Sequence, residues 1–151
     1  MKSKVNRKKP DKIHHKCIYE FVCRSNQKEI SHIEEFLRHV SMQLHIDDGM
    51  MYRLLISCTE AVNNAIVHGN KSDPEKKVII QCIVMKKTLT IRVKDEGKGF
   101  DSENLQDPRD EKNLLKENGR GVFLMRSLMD KVKFKRLKSG SVAEMKVKLR
   151  R

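Results

Sequence analysis

The chain has 151 residues, of which 33 are Lys or Arg and 20 are Asp or Glu, giving a formal net charge of +13. This length fits one domain that buries its own core. No apolar run approaches the roughly 20 residues that a membrane span needs, and no apolar stretch follows the basic N-terminus as in a secretory signal. We therefore expect a soluble cytoplasmic domain that does not bind membranes.

The cysteines and the charge exclude some further classes of function. No two of the four cysteines (Cys17, Cys23, Cys58 and Cys82) have a C-x-x-C spacing, so neither a zinc site nor a redox motif is predicted, and all four are interpreted as core residues. The positive charge favours encounters with anions in general. Because aromatic residues are only 5% of the chain, stacking platforms for single-stranded nucleic acid are scarce.

The first half of the chain predicts a tail, a strand and two helices. Residues 1–12 read as a disordered basic tail, and residues 13–151 as the domain. A β-rich run over 16–24 predicts a strand, after which Ser25 or Asn26 caps a helix. That helix buries an apolar stripe at helical spacing, made of Ile30, Ile33, Leu37, Val40 and Leu44.

A second helix is predicted to begin at a cap formed by Asp47 or Asp48. It runs to about His68, and Gly69-Asn70 ends it. At about 100° per residue, Glu60, Asn64 and His68 form one polar stripe roughly opposite the apolar face. Taken alone, this pattern is that of an ordinary amphipathic helix.

The second half of the chain carries two more strand pairs. The pairs are Lys77–Met85 with 88–94, and Lys131–Leu137 with 142–149. Between the pairs lie a long polar loop at 101–118 and a helical pattern at 122–129. The order β-α-α-β-β-loop-α-β-β predicts an α+β fold, a two-layer sandwich with one mixed or mostly antiparallel sheet and helices on one face.

Two glycine-containing segments follow the polar helix. Asp95-x-Gly97-x-Gly99 stands at a strand end, where glycines allow a sharp turn and an acid can accept a hydrogen bond from an amine. Gly119-Arg120-Gly121 opens a helix, whose free N–H groups favour phosphate. Neither a P-loop nor the complete dinucleotide fingerprint is present.

The order and spacing of these three segments resemble the nucleotide site of the GHKL (histidine-kinase-like) ATPase superfamily. The stretches 60–69 (EAVNNAIVHG) and 119–130 (GRGVFLMRSLMD) are most similar to its small bacterial branch, the anti-sigma-factor serine/threonine kinases. The resemblance extends over about residues 16–150 and implies the Bergerat-type ATP-binding fold.

The resemblance also implies a role for each matching residue. Glu60 would be the general base, and Asn64 would ligate the Mg²⁺ that bridges the phosphates of ATP. Residues 101–118 would form the ATP lid. The remaining ATP-binding positions would be Asp95 for the adenine amino group, Gly97 and Gly99 for its pocket, and Gly119, Arg120 and Gly121 for the phosphates. The family usually has Gly-Thr beside the adenine pocket, and this chain has Gly140-Ser141, which keeps the hydroxyl.

The function implied by the resemblance is that of a kinase and a switch. The chain would phosphorylate a serine or threonine on a STAS-type anti-sigma antagonist, would sequester a sigma factor, and would form a homodimer. The alternative is a nucleotide-dependent partner-binding module without phosphotransfer. A third hypothesis, nucleic-acid binding through the basic surface, leaves the three motifs unexplained, so nucleic acid is not expected as the main partner.

Overall fold

The computed structural model describes residues 16–98 and 119–150. These residues form five strands and three α-helices, with a 3₁₀ turn before the first helix and a π-helical turn after the second. In chain order the elements are β1 (Lys16–Arg24), the 3₁₀ turn (Gln27–Glu29), α1 (Ile30–Gln43), α2 (Asp48–Asn64), the π turn (Ala65–Gly69), β2 (Lys77–Met85), β3 (Thr88–Asp95), α3 (Gly119–Leu128), β4 (Lys131–Leu137) and β5 (Gly140–Lys148). The predicted tail at 1–12, Gly99 and the predicted lid at 101–118 lie outside the described residues.

The strands form one sheet in the order β1-β2-β3-β5-β4. Every neighbouring pair of strands is antiparallel, so of the two arrangements that the sequence left open, the antiparallel one is found. The two predicted strand pairs are hairpins, β2 with β3 and β4 with β5. The first hairpin turns at Lys86, which adopts a left-handed conformation with φ of 55°.

The helix starts follow from local hydrogen bonds. Asn26 accepts from the N–H of Lys28 at 3.0 Å, and Asp47 accepts from the N–H of Met50 at 2.9 Å, so these two residues are the caps. The third helix begins at Gly119, so Gly119-Arg120-Gly121 opens it as predicted, three residues before the helical pattern at 122–129. Glycine is a poor helix former, but this turn packs against α2, and tertiary contact overrides the local preference.

One hydrophobic core lies between the sheet and the helices. Alternate residues of β2 and β3 point into it, and Ile33, Leu37 and Val40 of the predicted α1 stripe are buried there. Phe21 of β1 stacks on Phe36 of α1, with ring centroids 5.4 Å apart. The two-layer α+β architecture is therefore confirmed.

Three of the four cysteines belong to this core, and Cys17 packs against it half-buried. Burial raises the pKa of the Cys23 and Cys58 thiols to about 12, so at neutral pH they are unreactive apolar groups. Within residues 16–98 and 119–150, no helix is long and apolar enough to cross a membrane.

Candidate nucleotide site

Asp95, the last residue of β3, has a buried carboxylate that is only 5% exposed. Its Oδ1 accepts hydrogen bonds from the N–H groups of Gly97 at 2.9 Å and Ser141 at 3.1 Å, and its Oδ2 accepts from the Ser141 hydroxyl at 2.6 Å. A carboxylate offers about four lone-pair positions. These three bonds leave one position, on Oδ2, for a further donor such as an amine.

Gly69, which ends the π turn, lies directly against Asp95. A Cβ placed on Gly69 would collide with the carboxylate carbon and Oδ2 of Asp95. A glycine is therefore needed here for close approach, in addition to its predicted role in ending the helix. The sequence pattern did not reveal this second role, because Gly69 and Asp95 are far apart along the chain.

Asn70 is fully buried and connects three segments around Asp95. Its Nδ2 donates to the carbonyl oxygen of Lys77 at 2.9 Å, and its Oδ1 accepts from the N–H of Glu96 at 2.8 Å. Glu96 in turn accepts from the N–H of Lys77 at 2.9 Å. These bonds set the position of the turn that follows Asp95. Sequence reasoning missed this role, because an Asn after a glycine at a helix end is equally typical of a simple stop signal.

Glu60 lies on the part of α2 that faces the beginning of α3. A Cβ placed on Gly121 would come within 2.6 Å of Glu60 Oε2. At the other end of the contact, Arg53 Nε donates to the carbonyl oxygen of Leu128 at 2.7 Å. The helix α3 therefore runs antiparallel along α2, and its N-terminal turn lies beside the Glu60 carboxylate. A carboxylate near a helix N-terminus is in a favourable field.

Asn64 ends α2 one turn after Glu60, and both residues are partly exposed. Beyond Asn64 the helix widens into the π turn, where the N–H of Asn70 donates to the carbonyl oxygen of Ala65 at 2.8 Å. The regular α-helical hydrogen bonding therefore stops at Asn64, and the predicted helix end at Gly69-Asn70 is found as a π turn. Such π turns occur often at functional sites.

The family described as histidine kinase-like ATPase domain matches residues 23–147. The chain belongs to this family. The match includes all the described segments that build the site, from α2 to the start of β5, and it confirms the resemblance drawn from the motifs.

Relatives of this ATPase domain include proteins named for two activities. An anti-sigma F factor of Anoxybacillus flavithermus is 34% identical over 92 residues, which are 58% of this chain and 62% of that protein. The serine-protein kinase RsbW of Bacillus subtilis is 34% identical over 99 residues, which are 62% of each protein. An anti-sigma F factor of Clostridium perfringens is 38% identical over 76 residues, 48% of this chain and 53% of that protein. The matches thus span about half to three fifths of the length of these relatives.

A solved structure supports the fold of the ATPase domain. The RsbU and RsbW domains of Rv1364c from Mycobacterium tuberculosis superimpose with a TM-score of 0.67 at 14% identity, covering 89% of this chain and 33% of that chain. At this identity the likeness concerns the fold alone.

Within this ATPase domain, the structure groups the predicted site residues into two clusters. The first cluster contains Asp95, Gly97 and Ser141, joined by hydrogen bonds. The second contains Glu60 and Gly121, in close contact. Asn64 and the π turn connect the two clusters along the chain. Gly119 and the exposed Arg120 begin α3. Gly99 lies outside the described residues. Chemically, the first cluster offers an acceptor to an amine, and the second offers a base beside a helix N-terminus.

Proposed function

We propose that this chain is a Mg-ATP-dependent serine/threonine protein kinase of the anti-sigma-factor type. It would phosphorylate a STAS-type anti-sigma antagonist and sequester a sigma factor. The observation that carries the proposal is the Asp95 carboxylate, which neutral donors hold in place with one acceptor position open. The names of the relatives, anti-sigma F factor and serine-protein kinase RsbW, support both halves of the proposed activity.

The adenine base would bind at the Asp95 cluster. The exocyclic amino group of adenine is the kind of donor that the open position on Oδ2 would accept. Ser141 orients the carboxylate from one side and Gly97 from the other, so the acceptor is positioned before the ligand arrives. Gly99 and the lid at 101–118 remain predictions for this pocket.

The residues present suit a magnesium ion that arrives with the nucleotide. Over the described parts of the chain, no group of three or more His, Cys, Asp or Glu side chains is arranged to hold a metal. Mg²⁺ commonly takes only one or two protein ligands and completes its shell with phosphate and water. Asn64 would supply an amide oxygen to such an ion, which when bound neutralises charge on the phosphates.

Glu60 would act as the general base in transfer of the γ-phosphoryl group. The hydroxyl oxygen of the target serine or threonine would form a bond to phosphorus as Glu60 takes its proton, and the bond to the bridging oxygen of ADP would break. Backbone N–H groups at Gly119 and Gly121, together with Arg120, would stabilise negative charge on the transferred group. The position of Glu60 beside Gly121 supports this arrangement.

A phosphotransfer assay tests the proposal. The chain is incubated with γ-labelled Mg-ATP and a purified STAS-domain protein of the same organism, and the expected product is an acid-stable phosphate on serine or threonine of that protein. Glu60→Gln should abolish transfer while ATP binding remains. Glu35→Gln, a change at an exposed carboxylate on α1, is the matched control and should keep full transfer.

Kinase activity is contradicted if the chain binds ATP but transfers no labelled phosphate to the STAS-domain protein. In that case the alternative, a nucleotide-dependent partner-binding module, is supported if Mg-ATP changes partner affinity and Glu60→Gln does not alter that change. Sedimentation of the chain with and without a sigma factor tests the other proposed partners, the sigma factor and a second copy of the chain.

A further inference from the structure

The sheet has a second face, which points away from the helices and carries a dense group of positive charges. Antiparallel pairing places outward-pointing residues of β3, β5 and β4 next to one another. Among these, seven cationic side chains accompany one carboxylate, Glu144. We call this group the basic strip: Arg92, Lys94, Lys131, Lys133, Lys135, Lys146 and Lys148.

Glu144 organises the centre of the basic strip. Its carboxylate lies 2.7 Å from Arg92 Nε, 3.3 Å from Lys146 Nζ and 3.7 Å from Lys135 Nζ. The Glu144 side chain is only 4% exposed because these long side chains cover it, while 41% to 54% of each cationic side chain remains exposed. The carboxylate therefore holds three cations in place and leaves their outer surfaces available to an anionic partner.

Protection of a sheet edge does not account for the strip. Lysines on an edge strand hinder pairing with other chains, and this explains Lys131, Lys133 and Lys135 on β4. It does not explain the cations on β3 and β5, because both strands are paired on each side within the sheet. The positive charge extends continuously over three neighbouring strands, as expected of a binding surface.

The other half of the same face mixes apolar and polar side chains, since the outward positions of β1 and β2 hold five apolar residues together with Lys16, Glu20, Arg24, Lys77 and Gln81. Ile18 and Val22 of β1 pair with Ile83 and Ile79 of β2, and Met85 ends β2. Val22 and Met85 remain 46% and 48% exposed. We call these five residues the apolar margin. Neighbouring strands are about 4.8 Å apart, so the whole face is about 19 Å wide, and one partner of ordinary size would cover both halves.

We propose that this outer sheet face binds a protein partner whose surface combines acidic and apolar residues. The basic strip supplies charge complementarity, and the apolar margin supplies apolar surface whose removal from water is favourable. Nucleic acid fits less well, because none of the outward-pointing positions of the five strands carries an aromatic ring for base stacking and the apolar margin would face phosphate. This proposal does not rest on phosphotransfer, since the face is separate from the Asp95 and Glu60 clusters.

A synthetic peptide that alternates Glu and Leu, labelled for fluorescence anisotropy, is the probe. The reference ligands are a Glu-only peptide of the same charge and a short DNA duplex, all at 150 mM salt (about an 8 Å Debye length). We expect the Glu-Leu peptide to bind most tightly. The double variant Lys131→Glu/Lys148→Glu should weaken it by about tenfold or more. The matched control Lys28→Glu/Arg38→Glu changes the net charge equally on the helix side and should bind like wild type.

A second double variant tests the apolar margin. Val22→Thr/Met85→Gln should weaken the Glu-Leu peptide and leave the affinity for the Glu-only peptide unchanged. Circular dichroism melts establish that each variant is folded. Tighter binding of the DNA duplex, or equal loss in the control variant, overturns the proposal. Conversion of a dimer to a monomer by Val22→Thr/Met85→Gln also overturns it, because a second copy of the chain would then occupy the face.

Discussion

Asp95→Asn separates the role of this carboxylate in folding from its proposed role in nucleotide binding. In the wild type, Oδ1 accepts from two backbone N–H groups and Oδ2 accepts from the Ser141 hydroxyl. Asparagine keeps an oxygen for both N–H groups, and the hydroxyl can turn to accept from the new amide. We therefore expect the free energy of unfolding to fall by less than about 1 kcal/mol.

The same substitution should strongly weaken nucleotide binding. The adenine amino group would meet an amide donor instead of a carboxylate oxygen. Loss of a hydrogen bond to a charged group corresponds to about 2 kcal/mol, or about 30-fold in Kd. At an ATP concentration of about 100 times the wild-type Kd, the wild type should gain about 2.7 kcal/mol of stability, and Asp95→Asn only about 0.9 kcal/mol.

Urea unfolding with and without Mg-ATP measures both quantities. Asp95→Ala is the contrasting variant, because it leaves two N–H groups and a hydroxyl without their acceptor. It should lower the free energy of unfolding by about 3 kcal/mol even in the absence of nucleotide. Equal stabilisation of Asp95→Asn and wild type by Mg-ATP would refute the proposed adenine contact. Wild-type stability in Asp95→Ala would refute the hydrogen-bond reasoning.

Three further substitutions test other parts of the structure. Asn70→Ala removes the acceptor of the Glu96 N–H and the donor to the Lys77 carbonyl oxygen. It should therefore raise the KM for ATP more than it lowers kcat. An unchanged KM in steady-state kinetics would contradict this positioning role. Gly121→Ala should displace Glu60 and lower the phosphotransfer rate. The unfolding temperature should stay the same or rise, because alanine favours the helix over glycine by about 1 kcal/mol. An unchanged phosphotransfer rate would count against the Glu60 contact. Glu144→Gln should lower the free energy of unfolding by about 1–2 kcal/mol at pH 7.

The stability difference between Glu144→Gln and wild type should depend on pH. Burial raises the pKa of Glu144, but hydrogen bonds from Arg92 and Lys146 and their charges outweigh burial, so the pKa lies below its usual value of 4.5. The stabilising contribution is therefore present above the unfolded pKa and is lost as the pH falls through the folded pKa. Urea unfolding at pH 7 and pH 3 should show the difference shrinking, and a constant difference would contradict the ion-pair reasoning.

The local elements of this protein could be read from its sequence. The strand at Lys77–Met85 was predicted, and the caps Asn26 and Asp47 were each one of two predicted candidates, because periodicity and capping depend on residues close together in the chain. The motif order also indicated the family that residues 23–147 match. The roles assigned to Asp95 and Glu60 remain predictions.

The contacts that assemble the site depended on the tertiary structure. The absence of a side chain at Gly69 makes room for Asp95, and the amide of Asn70 connects the start of β2 to the turn that follows β3. The π turn that follows Asn64 could likewise not be predicted from regular helical spacing. Sequence periodicity reports which face a residue occupies within its own element. Which distant residue packs against that face is decided only when the sheet and helices come together around the core.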